Sequence, residues 1–103
     1  MAKPSAKLSD DQATELAEMF RLMGDHSRLR IILACLDGPA SVGAIAERLG
    51  LSASLVSHHL RLLRAARILR AARRGKQVFY AAADQHIRRV LLDMTAHVGE
   101  AGA

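Results

Sequence analysis

A chain of 103 residues and 11.2 kDa has room for one domain, which excludes a separate catalytic domain. Half of its residues are hydrophobic and 24% are charged, as in folded globular proteins, but only 3% are aromatic, so an aliphatic core built from helices is expected. The formal charge of +5 is unevenly distributed along the chain. Residues 48–83 hold eight basic residues and no acid, whereas the seven bases and ten acids elsewhere sum to −3. This concentration of positive charge favours a polyanionic partner.

Two amphipathic helices are predicted in the first third of the chain. The first begins near Ser9, which has capping-box spacing to Gln12, and ends at Gly24. Asp25 is the predicted N-cap of the second helix, which runs through Leu36 before a glycine and a proline stop it. In the first helix, the apolar side chains that recur at helical spacing are Leu16, Met19, Phe20 and Met23.

A helix-turn-helix pattern follows. Ser41 is the predicted cap of a short helix that Gly50 terminates, and a longer helix is predicted from about Ser54 to Ala66. A short helix, a glycine-containing turn and a second helix make up this pattern. His59 is predicted to be a core residue, because it shares a helix face with apolar side chains. The residues that the longer helix is expected to bury are Leu55, Val56, His59 or Leu60, and Leu63.

A β-hairpin and a final helix complete the pattern. Ile68–Arg73 and Gln77–Ala82 flank a turn that contains Gly75, and they are predicted to pair. The expected fold is therefore mainly α with a small β-hairpin, in the order α-α-α-α-β-β-α, and dimerisation would help to stabilise so small a core. The final helix is predicted over about Asp84–Glu100 and is expected to bury Ile87, Val90, Leu91, Met94 and Val98.

Three segments carry a resemblance to a known family: Gly24–Ile31 (GDHSRLRI), Leu51–Arg61 (LSASLVSHHLR) and Gly75–Tyr80 (GKQVFY). On these segments the chain resembles the ArsR/SmtB family of bacterial winged-helix metal-sensing repressors, and within it the SmtB-like zinc sensors. The resemblance implies a homodimeric winged helix-turn-helix domain over residues 9–100. Residues 1–8 show no periodicity and are predicted to form a flexible N-terminal arm.

The longer helix and the hairpin are the predicted DNA-binding elements. The helix is expected to reach base edges in the major groove through Ser54, Ser57, His58 and Arg61. The resemblance implies operator contacts for the first three, although Ser54 has a simpler alternative role as a helix cap. The chain has too few aromatic residues for a stacking platform, which favours duplex over single-stranded nucleic acid. The hairpin is expected to contact phosphates through Arg73, Arg74, Lys76 and Gln77.

The final helix carries a set of possible metal ligands: Asp84, His86, His97 and Glu100. Two imidazoles and two carboxylates suit a tetrahedral Zn²⁺ ion, or Co²⁺ in its place. His86 and His97 are about 16 Å apart along a helix, too far to share an ion within one chain. An antiparallel pairing of this helix with its copy would bring the first two ligands of one chain to the last two of the other. The resemblance implies that all four positions bind metal.

Simpler roles remain open for these residues. Asp84 could be only the N-cap of the final helix, and the other three ligands could be ordinary exposed side chains. Cys35 lies in an apolar run and is predicted to be a small core residue without an internal disulfide partner. In some family members a Cys-x-Cys pair senses soft metals, but the matching segment here reads Ser41-Val42-Gly43-Ala44 and does not support that route.

The sequence therefore predicts a cytoplasmic, metal-responsive transcriptional repressor whose metal-free homodimer binds an inverted-repeat operator and is released when Zn²⁺ or Co²⁺ binds. An enzyme is not expected, because four protein ligands leave no open coordination position and no nucleophile motif or phosphate loop is present. No apolar run approaches the roughly 18 residues of a membrane helix, so no membrane partner is expected. The alternatives are a repressor of the same family that responds to a redox or organic signal, a non-regulatory DNA-binding protein and a zinc hydrolase.

Overall fold

The computed structural model describes residues 7–101, and the predicted arm lies mostly outside this range. The predicted order of helices and hairpin is confirmed, and a short strand is added between the second and third helices. Within the described residues the elements are α1 (Asp10–Met23), α2 (His26–Ala34), β1 (Ala40–Ser41), α3 (Val42–Leu49), α4 (Ala53–Ala65), β2 (Leu69–Arg74), β3 (Gln77–Ala82) and α5 (Gln85–Ala101). In this part of the chain, no helix is both long and apolar enough to cross a membrane.

The first three helices begin at the predicted caps. Ser9 and Gln12 form a complete capping box, in which each side chain accepts a hydrogen bond from the other residue's backbone N–H. Asp25 and Ser41 cap α2 and α3 in the same way, each through a side-chain oxygen. Gly50 ends α3 with a φ of 69°, a left-handed conformation that costs glycine little. Local hydrogen bonding therefore determines where these helices begin and end.

The N-cap of α4 is Ser52, so the alternative role of Ser54 as a helix cap is wrong. The Ser52 hydroxyl accepts a hydrogen bond from the backbone N–H of Leu55 at 3.1 Å. Two serines at alternate positions are both acceptable caps, and the earlier one has the extended backbone of an N-cap, with φ −70° and ψ 149°. Ser54 is thereby placed inside the first turn of α4 with an exposed side chain.

The left-handed residue that follows the C-cap of α4 is an arginine, where glycine is usual. Arg67 has a φ of 61°, and it is the one non-glycine residue among residues 7–101 with a positive φ. Its N–H bonds to the carbonyl of Arg64 at 3.0 Å, and the N–H of Ile68 bonds to the carbonyl of Leu63 at 2.9 Å. These two bonds are those of a Schellman motif, with Arg67 at the left-handed position. The motif turns the chain sharply from α4 into β2.

The three strands form one antiparallel sheet in the order β1-β3-β2. The hairpin closes with the pair Arg74 and Gln77, around a two-residue turn in which Gly75 has a φ of 62°. Strand β2 starts and ends one residue later than predicted. β1 escaped prediction because only Ala40 and Ser41 pair with β3, and a two-residue strand has no alternation to detect.

The core lies between α2, α3, α4 and the base of the hairpin. Its largest fully buried side chains are aliphatic apart from one cysteine: Ile31, Ile32, Ile45, Val56, Leu60, Leu63, Ile68, Leu69 and Cys35. This composition confirms the expected aliphatic core, and Cys35 is the predicted small core residue. Leu55 is an error of the sequence prediction, because it is 39% exposed.

Much of the apolar surface of α5 is exposed, which corrects the predicted burial. Leu91 is buried and Ile87 is partly buried, but Val90, Met94 and Val98 are 43%, 57% and 66% exposed. We call these last three residues the α5 stripe. Of the apolar side chains of α5, Leu91 and Ile87 are the ones that pack in or against the core of their own chain. Leu16 and Phe20 of α1 are also exposed, so both terminal helices present apolar surface.

Candidate functional site

The four residues predicted to contact bases lie on one face of α4. Positions 54, 57, 58 and 61 follow helical spacing, and three of the side chains are exposed while that of Ser57 is partly buried. The opposite face is buried in the core through Val56, Leu60 and Leu63. Because burial holds α4 by that inner face, the polar face points away from the protein. The structure thus brings these residues together on a surface that a DNA groove can accept.

The tip of the hairpin holds its basic side chains in defined positions. Arg73 donates from Nε to the carbonyl of Gly75 at 3.2 Å, across the turn. The guanidinium carbon of Arg74 lies 5.5 Å from the centroid of the Phe79 ring. Lys76 and Gln77 are exposed at the same tip. The α4 face and this tip together are called the α4–wing surface below.

Few of the basic residues in this region are neutralised. Of the eight basic residues in residues 48–83, Arg48 pairs with Asp37 at 3.5 Å and Arg67 pairs with Glu15. The other six form no ion pair with another described residue. Such a surface repels cations and attracts a polyanion.

A buried histidine, His59, lies on the core side of α4, next to His58 of the polar face. His59 is 8% exposed, which confirms its predicted core position, and its Nδ1 atom has no hydrogen-bond partner among the described residues. Burial lowers the pKa of His59 below its usual value, and the neighbouring Arg28 and His58 add to this effect, while Asp25 opposes it. His59 is therefore expected to be neutral when the chain is folded at neutral pH.

Acidification is expected to destabilise the fold through His59. Since the folded-state pKa is lower than that of the unfolded chain, the unfolded state binds the proton more readily, and the free energy of unfolding falls as the pH drops below about 6.5. Replacing His59→Gln should make this decline shallower in urea titrations at a series of pH values. His26→Gln, which removes an exposed histidine that does not contribute to the pKa shift of His59, is the matched control. If the free energy of unfolding declined equally with pH in wild type and His59→Gln, His59 would not be the residue responsible for acid destabilisation.

The four predicted metal ligands lie at the two ends of α5, and all are exposed. Asp84 does cap the helix, because its Oδ1 atom accepts a hydrogen bond from the N–H of Ile87 at 3.0 Å. His86 lies in the first turn, whereas His97 and Glu100 lie near the other end. Within residues 7–101 of one chain, no group of three or more His, Cys, Asp or Glu side chains is close enough to hold a metal. One chain therefore brings together at most one end of the set.

A cleft of about 690 Å³ lies beside the first two ligands. Asp84 and His86 line it together with Arg67, whose side chain also binds Glu15 of α1. The hydrogen bond to Glu15 raises the pKa of Arg67, and attraction to Asp84 adds to this effect. The sequence did not predict this ion pair, because its partners are distant along the chain. It links the end of α4 to α1 next to the candidate ligands.

Cys35 has the properties of a core residue rather than a sensor. Burial raises the pKa of its thiol to about 11, so the thiolate is scarce at neutral pH. The thiolate is the form that binds metals and reacts with oxidants. Cys35 therefore offers little support to the alternative of a redox-responsive repressor.

Comparison with known proteins identifies the family. The protein-family model described as "Bacterial regulatory protein, arsR family" matches residues 25–71 of this chain. The HTH-type transcriptional regulator KmtR of Mycobacterium tuberculosis is 36% identical over 95 residues, which cover 92% of this chain and 73% of that protein. The transcriptional repressor SmtB homolog of Synechocystis sp. is 37% identical over 93 residues, covering 90% and 70% respectively. Both relatives match nearly all of the elements described above.

Comparison with solved structures agrees with this family assignment. The NMR structure of the cadmium metal-sensor CMTR from Mycobacterium tuberculosis aligns with a TM-score of 0.67 at 43% identity, covering 75% of this chain and 80% of that chain. The relatives are regulators of transcription, which fits the expectation that this chain is not an enzyme. The chain therefore belongs to the arsR family of bacterial regulatory proteins and is a winged helix-turn-helix regulator of transcription.

Proposed function

We propose that this chain is a metal-responsive repressor whose metal-free homodimer binds an inverted-repeat operator and leaves it when Zn²⁺, or Co²⁺ in its place, is bound. The observation that carries the proposal is the position of the candidate ligands beside the exposed α5 stripe. At about 100° per residue, His86, His97 and Glu100 follow one flank of Val90 and Met94 around the helix. Any chain that covers the stripe therefore lies next to the ligands.

The donor set fits zinc in kind and in number. Two imidazole nitrogens and two carboxylates are donors that Zn²⁺ prefers, and four of them complete a tetrahedral site. The Oδ1 atom of Asp84 is used as a cap, but its second carboxylate oxygen is left as a donor. Zinc held by both chains would act as a cross-link between them. His86 and His97 would each bind through one ring nitrogen and keep the other for an orienting hydrogen bond.

The site requires a homodimer with antiparallel α5 helices. Eleven residues separate His86 from His97, a distance of about 16 Å along the helix, so each end must be completed by the opposite end of a second copy. A two-fold axis between the helices gives two equivalent sites. The same pairing buries the α5 stripe. It thereby provides apolar surface area that so small a core lacks.

Binding to duplex DNA is supported by the α4–wing surface. The exposed side chains of Ser54, His58 and Arg61 offer hydrogen-bonding groups to base edges, and Ser57 lies between them. The wing arginines lie to one side, where phosphates pass in a groove-bound complex. A two-fold homodimer presents two such surfaces, and for that reason the operator is expected to be an inverted repeat.

Zinc would release the dimer from the operator through a change in dimer geometry, and the two binding events would be thermodynamically linked. The metal-loaded dimer must hold its two α4 helices at a separation that no longer matches successive major grooves. Operator binding must in turn weaken zinc binding by the same factor, because the coupling between two sites is reciprocal. Repression and metal sensing are also what the SmtB homolog and the cadmium sensor are named for.

The test is operator binding by the wild-type chain with and without zinc. A fluorescent duplex that the chelator-treated protein selects from a random-sequence library should lose affinity by about 5- to 150-fold when zinc is added, the usual range of allosteric coupling. Titration calorimetry should show one zinc per chain. Release that is no greater with zinc than with chelator would overturn metal sensing. Failure to select any duplex would overturn the DNA-binding role.

A further inference from the structure

Phe79 is a large aromatic side chain that the core does not use. It is one of three aromatic residues in the chain, and it is only partly buried. The next residue, Tyr80, packs against the core cluster together with Ala82, but Phe79 does not. Alternation along β3 explains the difference, because neighbouring strand residues face opposite sides of the sheet. The Phe79 ring therefore lies on the outer face of the hairpin.

The hairpin register brings Arg74 to this ring. Phe79 pairs with Ala72, and Arg74 lies two residues further along β2, on the same face. Such diagonal neighbours are within reach of aromatic and long side chains. The guanidinium carbon of Arg74 lies 5.5 Å from the ring centroid, within the range of a cation–π contact. The ring and the cation therefore form a cation–π pair near the tip.

We propose that Phe79 is a positioning residue, which holds Arg74 in place for a phosphate contact. A guanidinium held over a ring spends none of its five N–H donors on a hydrogen bond to that ring, so they stay available to a phosphate. The neighbouring Arg73 differs, since one of its donors is spent on the carbonyl of Gly75. The contact with the ring also reduces the rotamer freedom that an exposed arginine would otherwise lose on binding. This inference rests on the proposed DNA-binding function.

The experiment compares Phe79→Leu, Phe79→Tyr, Arg74→Gln and the Phe79→Leu/Arg74→Gln double variant. Each is measured in chelator on the duplex that the wild-type chain selects, at several salt concentrations. Phe79→Leu should weaken binding about two- to fivefold per wing, or about four- to twenty-five-fold for a dimer, as expected for an exposed cation–π pair. Its salt dependence should equal that of the wild type, because no charge is removed. Phe79→Tyr keeps the aromatic face and should bind like the wild type.

Arg74→Gln should weaken binding more than Phe79→Leu does. It should also reduce the salt slope, which is the slope of log K for DNA binding against log salt concentration, by about one per wing. Adding Phe79→Leu to Arg74→Gln should cause no further loss, since the ring has no cation left to hold. A general structural role of Phe79 would instead cause the same loss in both backgrounds, and this result would overturn the proposal. The proposal would also be overturned if Phe79→Leu or Arg74→Gln bound the duplex with the affinity of the wild type. Failure of the wild type to select a duplex would instead refute the proposed DNA-binding function on which this inference rests.

Discussion

Raising the salt concentration from about 50 to about 200 mM is expected to weaken operator binding by about 10³- to 10⁵-fold, if the dimer contacts six to ten phosphates. The physical reason is the charge distribution, in which eight basic residues lie in residues 48–83 without one acid. Each phosphate that they neutralise releases counterions from the DNA, and added salt opposes that release. Fluorescence anisotropy in chelator across a salt series measures the slope.

The slope should depend on where a charge is removed. Lys76→Gln, at the exposed tip of the hairpin, should lower the slope by about one per chain. Arg89→Gln removes the same charge from α5, outside the α4–wing surface, and should leave the slope unchanged. A wild-type affinity that hardly varies with salt would count decisively against phosphate contacts. An equal effect of both variants would indicate a response to net charge rather than to this surface.

Replacing His97→Ala is expected to weaken zinc binding by more than about a hundredfold and to abolish release by zinc, while operator binding in chelator stays within about twofold of wild type. Loss of a direct ligand must cost more than loss of a ligand's hydrogen-bond partner, which is about 10- to 100-fold. His97 is exposed near the end of α5, away from the α4–wing surface, so metal-free DNA binding should not need it. Calorimetry and operator binding with and without zinc test both parts.

The matched control is His26→Ala, which removes an exposed histidine from the start of α2, outside the ligand set. This variant should bind zinc and leave the operator like the wild type. If His97→Ala still responds fully to zinc, the α5 ligand assignment is wrong even if the protein senses metal. If both variants lose the response equally, zinc acts through dispersed histidines rather than through one site.

Much of the fold was predictable, because its helix boundaries are set by short-range hydrogen bonds. Ser9, Asp25 and Ser41 each cap the helix that their spacing predicts, and Gly50 supplies the left-handed turn that ends α3. The error at the start of α4 has the same local origin. Ser52 and Ser54 are both acceptable caps by residue type, and the structure uses Ser52.

The site was predictable in composition but not in its supporting contacts. Helical spacing alone places the four α4 residues on one face, and the structure agrees. The contact between Arg74 and Phe79 depends instead on the strand register, and the sequence prediction ended β2 at Arg73, one residue before Arg74. The Arg67–Glu15 pair depends on how α1 packs beside the end of α4.

The sequence by itself determined the order of the helices and the hairpin, the caps of the first three helices and the concentration of positive charge, since each depends on neighbouring residues. Only the tertiary structure decided which apolar side chains are buried. Periodicity identifies one apolar side of α5, but Leu91 is buried in the core whereas the three residues of the stripe are 43% to 66% exposed. Burial depends on what lies opposite a helix, and a single sequence does not state it. The exposed α5 stripe next to the candidate ligands is therefore a finding of the structure.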